Sequence, residues 1–433
     1  MPKALDNDRE ALSRRDFLAY VAAGSALGFT GVGKVHAAPP SLLASDEKYW
    51  SKIAKHYNAT KGIVNLEHGY WGKMAKPVQQ TYLAATKMVD QQNSFYARKD
   101  YNLEHQESVH RIAQALGVQD DEIALTRNAT EAIHNLIRQY KGLGKGDAVL
   151  YCDLDYPSYK TTMNWLASSR GVEALELNLP GRANQQLLLA QYVEMFDLHP
   201  NIKLMLLTHV SNQHGLVLPV KEIASEARRR GIDVICDNAQ SWGLLDYKLG
   251  ELGVDWAGFN LHKWIGAPLG IGALYMKRGS LEKIAPYPGE SDPKNETVHK
   301  RIHTATSNFA AFLSVPAALD FHEKIGGPNK EARLRYLRKM WTQGAESLNG
   351  LEVLGGLDEA SWTGMGSFRI KGKNTIQDAV DLQQILENEF GLFTVIRKGL
   401  ASGACVRITP QVFTKASHIE QLSDALRIIN SRI

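Results

Sequence analysis

The sequence has few cysteines and little net charge. Its 433 residues include three cysteines, Cys152, Cys236 and Cys405, and no two of them have Cys-x-x-Cys spacing. Three scattered cysteines exclude a disulfide framework. The 50 basic and 46 acidic side chains leave a formal net charge of +4. This balance excludes the concentrated basic face of a nucleic-acid-binding protein, so we expect no nucleic-acid partner.

Two common cofactor motifs are also missing. The sequence has no His-Glu-x-x-His motif for zinc and no Gly-x-Gly-x-x-Gly that follows a strand and opens a helix. The glycines between residues 266 and 272 instead lead into a predicted strand. His209 and His214 have no third plausible metal ligand. We therefore predict no metal site and disfavour a dehydrogenase or a metalloenzyme.

A long hydrophobic run is absent as well, although the first residues are mildly apolar. A membrane span needs about 20 strongly apolar residues, and the stretch over 17–33 is short and interrupted by four glycines. Arg14 and Arg15 precede it, and small residues around Ala37 follow it. This is the layout of a secretory signal, and the paired arginines resemble a twin-arginine export signal.

We therefore predict a twin-arginine signal peptide over residues 1–37, cleaved after Ala37. A membrane anchor or a buried helix is the alternative, and the glycines disfavour both. The prediction implies the twin-arginine translocase as a partner, a periplasmic mature protein and no stable membrane anchor.

The mature chain has two kinds of hydrophobic pattern. Residues 76–308 alternate short apolar segments, such as 148–152 and 203–208, with amphipathic segments such as 220–230. Continuous apolar strands separated by helices predict a parallel sheet covered on both faces. Residues 309–433 alternate differently and contain glycine-rich turns, which predicts a smaller α+β domain.

The strongest chemical signal is a lysine between a histidine and a glycine-rich turn. Lys263 lies in the string Asn-Leu-His-Lys-Trp, and Asp237 ends an earlier apolar strand, where α/β sheets bind ligands. A lysine can form a Schiff base with pyridoxal phosphate, and an aspartate can pair with its ring nitrogen. Taken alone, Lys263 could be a surface lysine. Together, the two residues predict a pyridoxal-phosphate enzyme with Lys263 and Asp237 as its catalytic residues.

These residues resemble the fold-type I pyridoxal-phosphate enzymes of aminotransferase class V. The string at 260–264, together with Asn-Leu-Glu-His-Gly-Tyr-Trp-Gly at 65–72, is similar to the isopenicillin N epimerase-like branch. The resemblance covers residues 60–420. It implies an aspartate aminotransferase-like α/β fold, with a mostly parallel seven-stranded sheet in a large domain beside a smaller α+β domain. The resemblance implies that residues 38–75 form an N-terminal segment that joins the small domain. Residues 76–308 would form the large cofactor domain, and residues 309–433 the small domain.

The resemblance implies a phosphate site where a helix begins. Residues 126–131 match the family's phosphate-binding turn, in which the amides of Ala129 and Thr130 face an anion. Asn260 and His262 match further phosphate contacts. The same turn could simply cap a helix, and His262 could be a core histidine or a second proton carrier.

Three more residues match contacts to the cofactor ring. Tyr156 falls where the family stacks an aromatic residue or histidine on the ring, although it could simply pack on the sheet. Asn212 matches an asparagine that bonds the ring hydroxyl, and Gln240 matches a second partner of that oxygen. Turn-forming and capping roles are the alternatives for both amides.

The substrate and the subunit interface are also implied. Arg407 matches the arginine that binds the substrate α-carboxylate, for which its planar fork is suited, and a surface salt bridge is the alternative. Arg397 lies in a stretch that often lines the site, or it is structural. Thr306 matches a segment that reaches the phosphate of the other subunit, which implies a homodimer.

Several reactions at Cα fit these residues: epimerisation, transamination, elimination and decarboxylation. The substrate would be an amino acid or a glutamyl or peptidyl metabolite. Cysteine desulfuration is disfavoured because no thiol occupies the family's mobile-loop position, although residues 402–405 superficially resemble that loop. One alternative is periplasmic tailoring of the glutamate side chain of a pyoverdine-type siderophore. Another is a non-catalytic binding or maturation protein that keeps the cofactor scaffold.

Overall fold

A computed structural model describes residues 40–290 and 297–433 of the chain. The predicted export signal at residues 1–37 lies outside the described residues. None of the helices in the described part combines the length and the apolar character that crossing a bilayer requires.

The described helices are named α1 to α13 in chain order. They span Pro40–Ala44, Glu47–Ala54, Lys76–Lys99, Tyr101–Leu116, Ala129–Gln139, Pro157–Arg170, Gln185–Leu198, Val220–Arg229, Phe309–Phe312, Val315–Ile325, Gly327–Glu346, Ile376–Phe390 and Ala416–Asn430.

The strands are named β1 to β14 in the same way. They span Val64–Asn65, Ile123–Thr126, Ala148–Cys152, Glu173–Leu177, Arg182–Ala183, Ile202–Thr208, Asp233–Asp237, Trp256–Asn260, Gly272–Met276, Leu351–Gly356, Gly366–Ile370, Leu392–Phe393, Val395–Arg397 and Cys405–Ile408.

A seven-stranded sheet forms the centre of the large domain. Its strand order is β2-β9-β8-β7-β6-β3-β4. The pairs from β8 to β4 are parallel, and β9 runs antiparallel to both of its neighbours. The predicted α/β fold with a mostly parallel seven-stranded sheet is therefore confirmed.

Helices cover both faces of this sheet. Side chains of α5 and α6 pack with alternate sheet residues such as Val149 and Leu204 on one face. Side chains of α4, α7 and α8 pack with Leu150, Met205 and their neighbours on the other face. Because alternate residues of each strand enter different hydrophobic cores, the strands are apolar along their whole length.

A second sheet lies in the C-terminal part of the chain. Its strand order is β13-β14-β11-β10-β5, and α11, α12 and α13 pack on it with one hydrophobic core. The two-residue strand β1 pairs in parallel with β12, and an isolated bridge joins Glu67 to Thr409. The segment that follows β1 therefore lies beside the end of β14.

Candidate active site

The carboxyl ends of the central strands open into a cavity of about 360 Å³. This is the edge of an α/β sheet where ligands bind. Ten of the twelve residues predicted for the site line this cavity: Thr130, Tyr156, Asn212, Asp237, Gln240, Asn260, His262, Lys263, Arg397 and Arg407. Ala129 and Thr306 do not line it.

Asp237 and Lys263 face this cavity from neighbouring strand ends. Asp237 ends β7, and its Oδ1 accepts a hydrogen bond from the Ala239 N–H at 2.8 Å. Burial raises the Asp237 pKa to about 6, against the weaker effect of the Lys263 charge. Burial also lowers the Lys263 pKa to about 8, and the Arg407 and Arg397 charges add to this shift. Lys263 Nζ has no hydrogen-bond partner among the described residues.

The backbone around Lys263 is held by the segment that follows β1. The Gly72 N–H donates to His262 O at 2.7 Å. A Cβ atom on residue 72 would lie 1.7 Å from Lys263 O, so only glycine permits this approach. Gln240 adds a second link, since its Oε1 accepts from Trp264 Nε1 and its Nε2 donates to Gly69 O, each at 2.9 Å. One amide hydrogen of Gln240 is left for the predicted contact with the cofactor oxygen.

At the start of α5, the Ala129 amide is hydrogen-bonded within the chain. The Ala129 N–H donates to Asn260 Oδ1 at 2.9 Å, and Ala129 is fully buried. In this structure Asn260 accepts the hydrogen of this amide, and the predicted contact of Ala129 with a phosphate stays a prediction. Asn128 Oδ1 caps the Glu131 N–H at 2.8 Å, and Thr130 remains on the cavity wall.

His262 is neutral, and its hydrogen bond fixes its tautomer. Its Nδ1 lies 2.9 Å from Ile271 O, which can only accept. Burial lowers the His262 pKa to about 4, so at neutral pH Nδ1 carries the proton and Nε2 is an acceptor. The predicted phosphate contact of His262 and its proton-carrier alternative both stay predictions.

Two ring contacts remain open in the structure. The Asn212 Oδ1 atom is buried and has no hydrogen-bond partner among the described residues. Buried acceptors are normally paired, so this atom fits a hydroxyl donor on a bound ring. Tyr156 is 42% exposed, and its ring contacts the edge of Tyr159 with centroids 5.3 Å apart. It can therefore cover a planar ligand.

A carboxylate that the sequence reasoning missed occupies the arginine side of the cavity. Arg407 Nη2 lies 2.7 and 2.9 Å from the two carboxylate oxygens of Glu67, and Arg407 Nη1 donates to Asn212 O at 2.6 Å. Burial favours a raised pKa for Glu67, but the Arg407 charge and hydrogen bond outweigh it and lower that pKa. The available signal was a single acidic residue in the aromatic and glycine-rich string at 65–72.

A second cavity of about 350 Å³ adjoins the first. Tyr70 and Arg397 line both cavities, and Glu67 lines the second one. Trp71 and Phe393 line only the second one. A ligand bound at Asp237 and Lys263 therefore has apolar space beyond the arginines.

The cysteines and Thr306 lie away from this wall. Cys152, Cys236 and Cys405 are all fully buried. Burial raises the Cys405 pKa to about 11, so none of the thiols is an exposed thiolate. Thr306 is exposed, outside the cavity of its own chain. Its predicted contact with another subunit stays a prediction.

The sequence model of aminotransferase class V matches residues 76–422. The chain belongs to this family. It is 23% identical to isopenicillin N epimerase from Amycolatopsis lactamdurans, over 87% of this chain and 98% of that protein. It is 27% identical to a cysteine desulfurase from Haloferax volcanii, over 76% of this chain and 79% of that protein.

A solved structure agrees with this assignment. The structure of C-DES with glycine covalently linked to its pyridoxal-phosphate cofactor superposes with a TM-score of 0.73 at 22% identity. The match covers 86% of this chain and 98% of that one. Pyridoxal 5'-phosphate is therefore the cofactor, and the unpaired Asn212 Oδ1, the free Lys263 Nζ and the Asp237 carboxylate fit it.

Proposed function

We propose that this chain is an exported epimerase-like or aminotransferase-like enzyme that acts at Cα of an amino acid or an amino-acid-containing metabolite. The observation that carries the proposal is the pairing of Lys263 and Asp237 on one cavity, with burial shifting both pKa values toward neutrality. Groups with pKa values near the working pH are suited to proton transfer.

When bound, pyridoxal phosphate supplies an aldehyde that condenses with amines and a ring that withdraws electrons from Cα. Asp237 would hold a proton at the ring nitrogen through the carboxylate oxygen that Ala239 leaves free. Lys263 can take a proton from Cα because burial keeps a fraction of its amine neutral near pH 7 to 8. His262 lies on the same cavity wall, but burial lowers its pKa to about 4, so Lys263 is the better proton carrier near neutral pH.

The buried thiols favour Cα chemistry over cysteine desulfuration, which is the activity named for several relatives. All three cysteines of the sequence lie in the described residues, and none is exposed. A thiol that attacks sulfur needs exposure and thiolate character. This preference would be overturned if the protein released sulfide from cysteine at a rate equal to its turnover of other amino acids.

The size of the site supports a large substrate. The second cavity extends the first past Arg397 and Tyr70. Together with the export motif, this space supports the candidate function on the glutamate side chain of a pyoverdine-type siderophore. Free amino acids, glutamyl peptides and acyl-glutamyl siderophore precursors, analysed by mass spectrometry and chiral separation, would separate epimerisation, transamination and decarboxylation.

Two further parts of the proposal concern the whole protein. The paired arginines at 14 and 15 support export to the periplasm by the twin-arginine translocase, followed by cleavage after Ala37. The exposed position of Thr306 supports a homodimer in which this residue reaches the other subunit's phosphate.

Replacing Lys263 tests the central assignment. Purified protein should show visible absorbance that borohydride abolishes, with the label fixed on Lys263. Lys263→Ala should lose both the labelling and all turnover, because the base and the attachment point are gone. Lys221→Ala is the matched control, since Lys221 is exposed on α8.

The same variant separates the enzyme from the non-catalytic alternative. A scaffold protein would retain its cellular role in the Lys263→Ala variant. Turnover of any substrate by purified Lys263→Ala protein would refute the role of Lys263.

A further inference from the structure

Two aromatic residues lie between glycines that the active site holds in place. Gly69 O accepts a hydrogen bond from Gln240 Nε2 at 2.9 Å, and the Gly72 N–H donates to the backbone beside the catalytic lysine at 2.7 Å. A Cβ atom on either glycine would come within 2.6 Å of a neighbouring atom, so both glycines are closely packed. The backbone of Tyr70 and Trp71 is therefore fixed at both ends.

The rings on this fixed backbone are exposed, and they lie beside the second cavity. Tyr70 and Trp71 meet edge to face with their centroids 4.9 Å apart, and both side chains keep exposed surface. Phe393 adds a third exposed ring to the lining of this cavity, and the buried Phe413 adds a fourth. Single exposed apolar side chains are common, but aromatic rings gathered around one cavity are typical of a ligand site.

The second cavity continues from the cofactor site. Tyr70 and Arg397 line both cavities, so a ligand that is held at Lys263 and extends past these two side chains enters the second cavity. The volume of about 350 Å³ is of the size found for small-molecule sites. This continuity favours the distal part of the substrate, rather than a separate ligand, as the occupant.

The charges around the second cavity disfavour a cation. Lys73 and Arg397 both line it. Its acidic residue, Glu67, already lies within hydrogen-bond distance of Arg407 Nη2 through both carboxylate oxygens. Because like charges repel, a positively charged group would bind poorly there.

We propose that the second cavity binds a planar aromatic group at the end of the substrate side chain, and that Trp71 and Phe393 select substrates that carry such a group. This rests on the proposed function, because it assumes an amino-acid substrate at Lys263. The aromatic group is neutral or negatively charged, since the cavity disfavours cations.

The test compares two amides of glutamate in the holoenzyme. γ-L-Glutamyl methylamide and γ-L-glutamyl benzylamide differ by one phenyl ring, and changes in the visible cofactor absorbance give both dissociation constants. The wild-type protein should prefer the benzylamide by roughly 10- to 100-fold, as expected for burial of an aromatic ring. Trp71→Ala should reduce this preference to about threefold or less, because the phenyl ring loses its aromatic partner.

Trp165→Ala is the matched control. Trp165 and Trp71 are each 49% exposed, but Trp165 lies on α6 and lines neither cavity. This variant should keep the full preference for the benzylamide.

A second variant and a third ligand test the chemistry of the cavity. Phe393→Leu keeps an apolar side chain and removes a ring, so it should also weaken the preference for the benzylamide. A benzylamide with an aminomethyl group on its ring carries a positive charge, and wild-type protein should bind it more weakly than the unsubstituted benzylamide. Equal binding of these two ligands would overturn the exclusion of cations.

Equal or unmeasurable affinities of the wild-type protein for the methylamide and the benzylamide would overturn the proposal. It would also be overturned if Trp71→Ala kept the full preference. If that variant kept the preference and lost its subunit contact, the exposed rings would belong to a subunit interface instead. Failure of the proposed function has a different signature, which is the absence of borohydride-sensitive absorbance in the wild-type protein.

Discussion

Asp237 sits at the bottom of the cavity with 7% of its surface exposed. The Ala239 N–H binds one carboxylate oxygen, and burial raises the pKa to about 6 from an ordinary value of 3.8. The folded chain therefore holds this proton to higher pH than the unfolded chain does. Stability from this group is present at low pH and is lost as the pH rises from about 4 through 6.

Replacing Asp237 in the cofactor-free protein should remove this loss. Asp237→Asn keeps the Oδ1 acceptor and cannot ionise, so at pH 7.5 it should be more stable than wild type by on the order of 1–3 kcal/mol. At pH 4 the two proteins should differ little. Thermal unfolding across this range checks the difference. Asp155, whose pKa burial raises to about 7, is coupled to Asp237, whose charge adds to that shift. Part of the difference between the two proteins therefore comes from Asp155.

If the unfolding temperatures of the wild type and Asp237→Asn changed with pH in parallel, the raised pKa of Asp237 would be contradicted.

At the residue scale, local sequence motifs were enough to predict the catalytic residues, but they could not predict which charged residues pair. Asp237 could be predicted because it ends an apolar strand at the edge of the sheet where ligands bind. Lys263 could be predicted because it lies between a histidine and a glycine-rich turn. The Glu67 partner of Arg407 could not be predicted. The two residues lie 340 positions apart, and only the register between the β1 segment and β14 brings them together.

Among the elements, the strand β8 was not predicted. It contains Gly258, and glycine in a strand is unfavourable unless another backbone comes close. The structure supplies that reason, since a Cβ atom there would lie 2.6 Å from the Cγ1 atom of Ile133 on α5. Glycine at this position lets α5 pack closely against the sheet. No local pattern could show this approach.

A second glycine makes the same contact testable. Gly272 in β9 lies between Thr126 and Asn260, and its added Cβ would lie 2.5 Å from Asn128 Cα. Gly272→Ala should push the start of α5 outward, break the bond from Ala129 to Asn260, destabilise the fold by about 1–3 kcal/mol and weaken cofactor retention. Thermal unfolding and dialysis against buffer measure the two effects.

Gly344→Ala is the control for this change. Gly344 lies within α11, and an added Cβ meets nothing within 4 Å. Alanine should be neutral or slightly stabilising there, because it favours helix. If Gly272→Ala behaved like Gly344→Ala, the close approach of α5 would not be needed for the site.

At the scale of the whole molecule, two short strands connect distant parts of the chain. β5, from the middle of the sequence, pairs with β10 of the small sheet, and β1 pairs with β12. A two-residue strand is too short to show a hydrophobic periodicity, so these two pairings could not be predicted from the sequence. The division at residues 75 and 308 stays a prediction.

The predicted homodimer has a consequence that needs no substrate. If Thr306 contacts the phosphate of the other subunit, Thr306→Asp should place a like charge there and weaken cofactor retention. A mixed dimer of Thr306→Asp and Lys263→Ala chains would contain one intact site, built from Lys263 of the first chain and Thr306 of the second. Borohydride should then fix cofactor on the Thr306→Asp chain, as measured by mass spectrometry after dialysis.

Neither variant alone should give this labelling, since one retains cofactor poorly and the other lacks the lysine. Thr304→Asp is the control, because a charge two residues from Thr306 tests whether any acid in this segment has the same effect. Subunit exchange is verified with chains of different mass. Verified mixed dimers that remained unlabelled would show that Thr306 does not complete its partner's site, and each chain would then have to hold its phosphate through Thr130 and its own neighbouring residues.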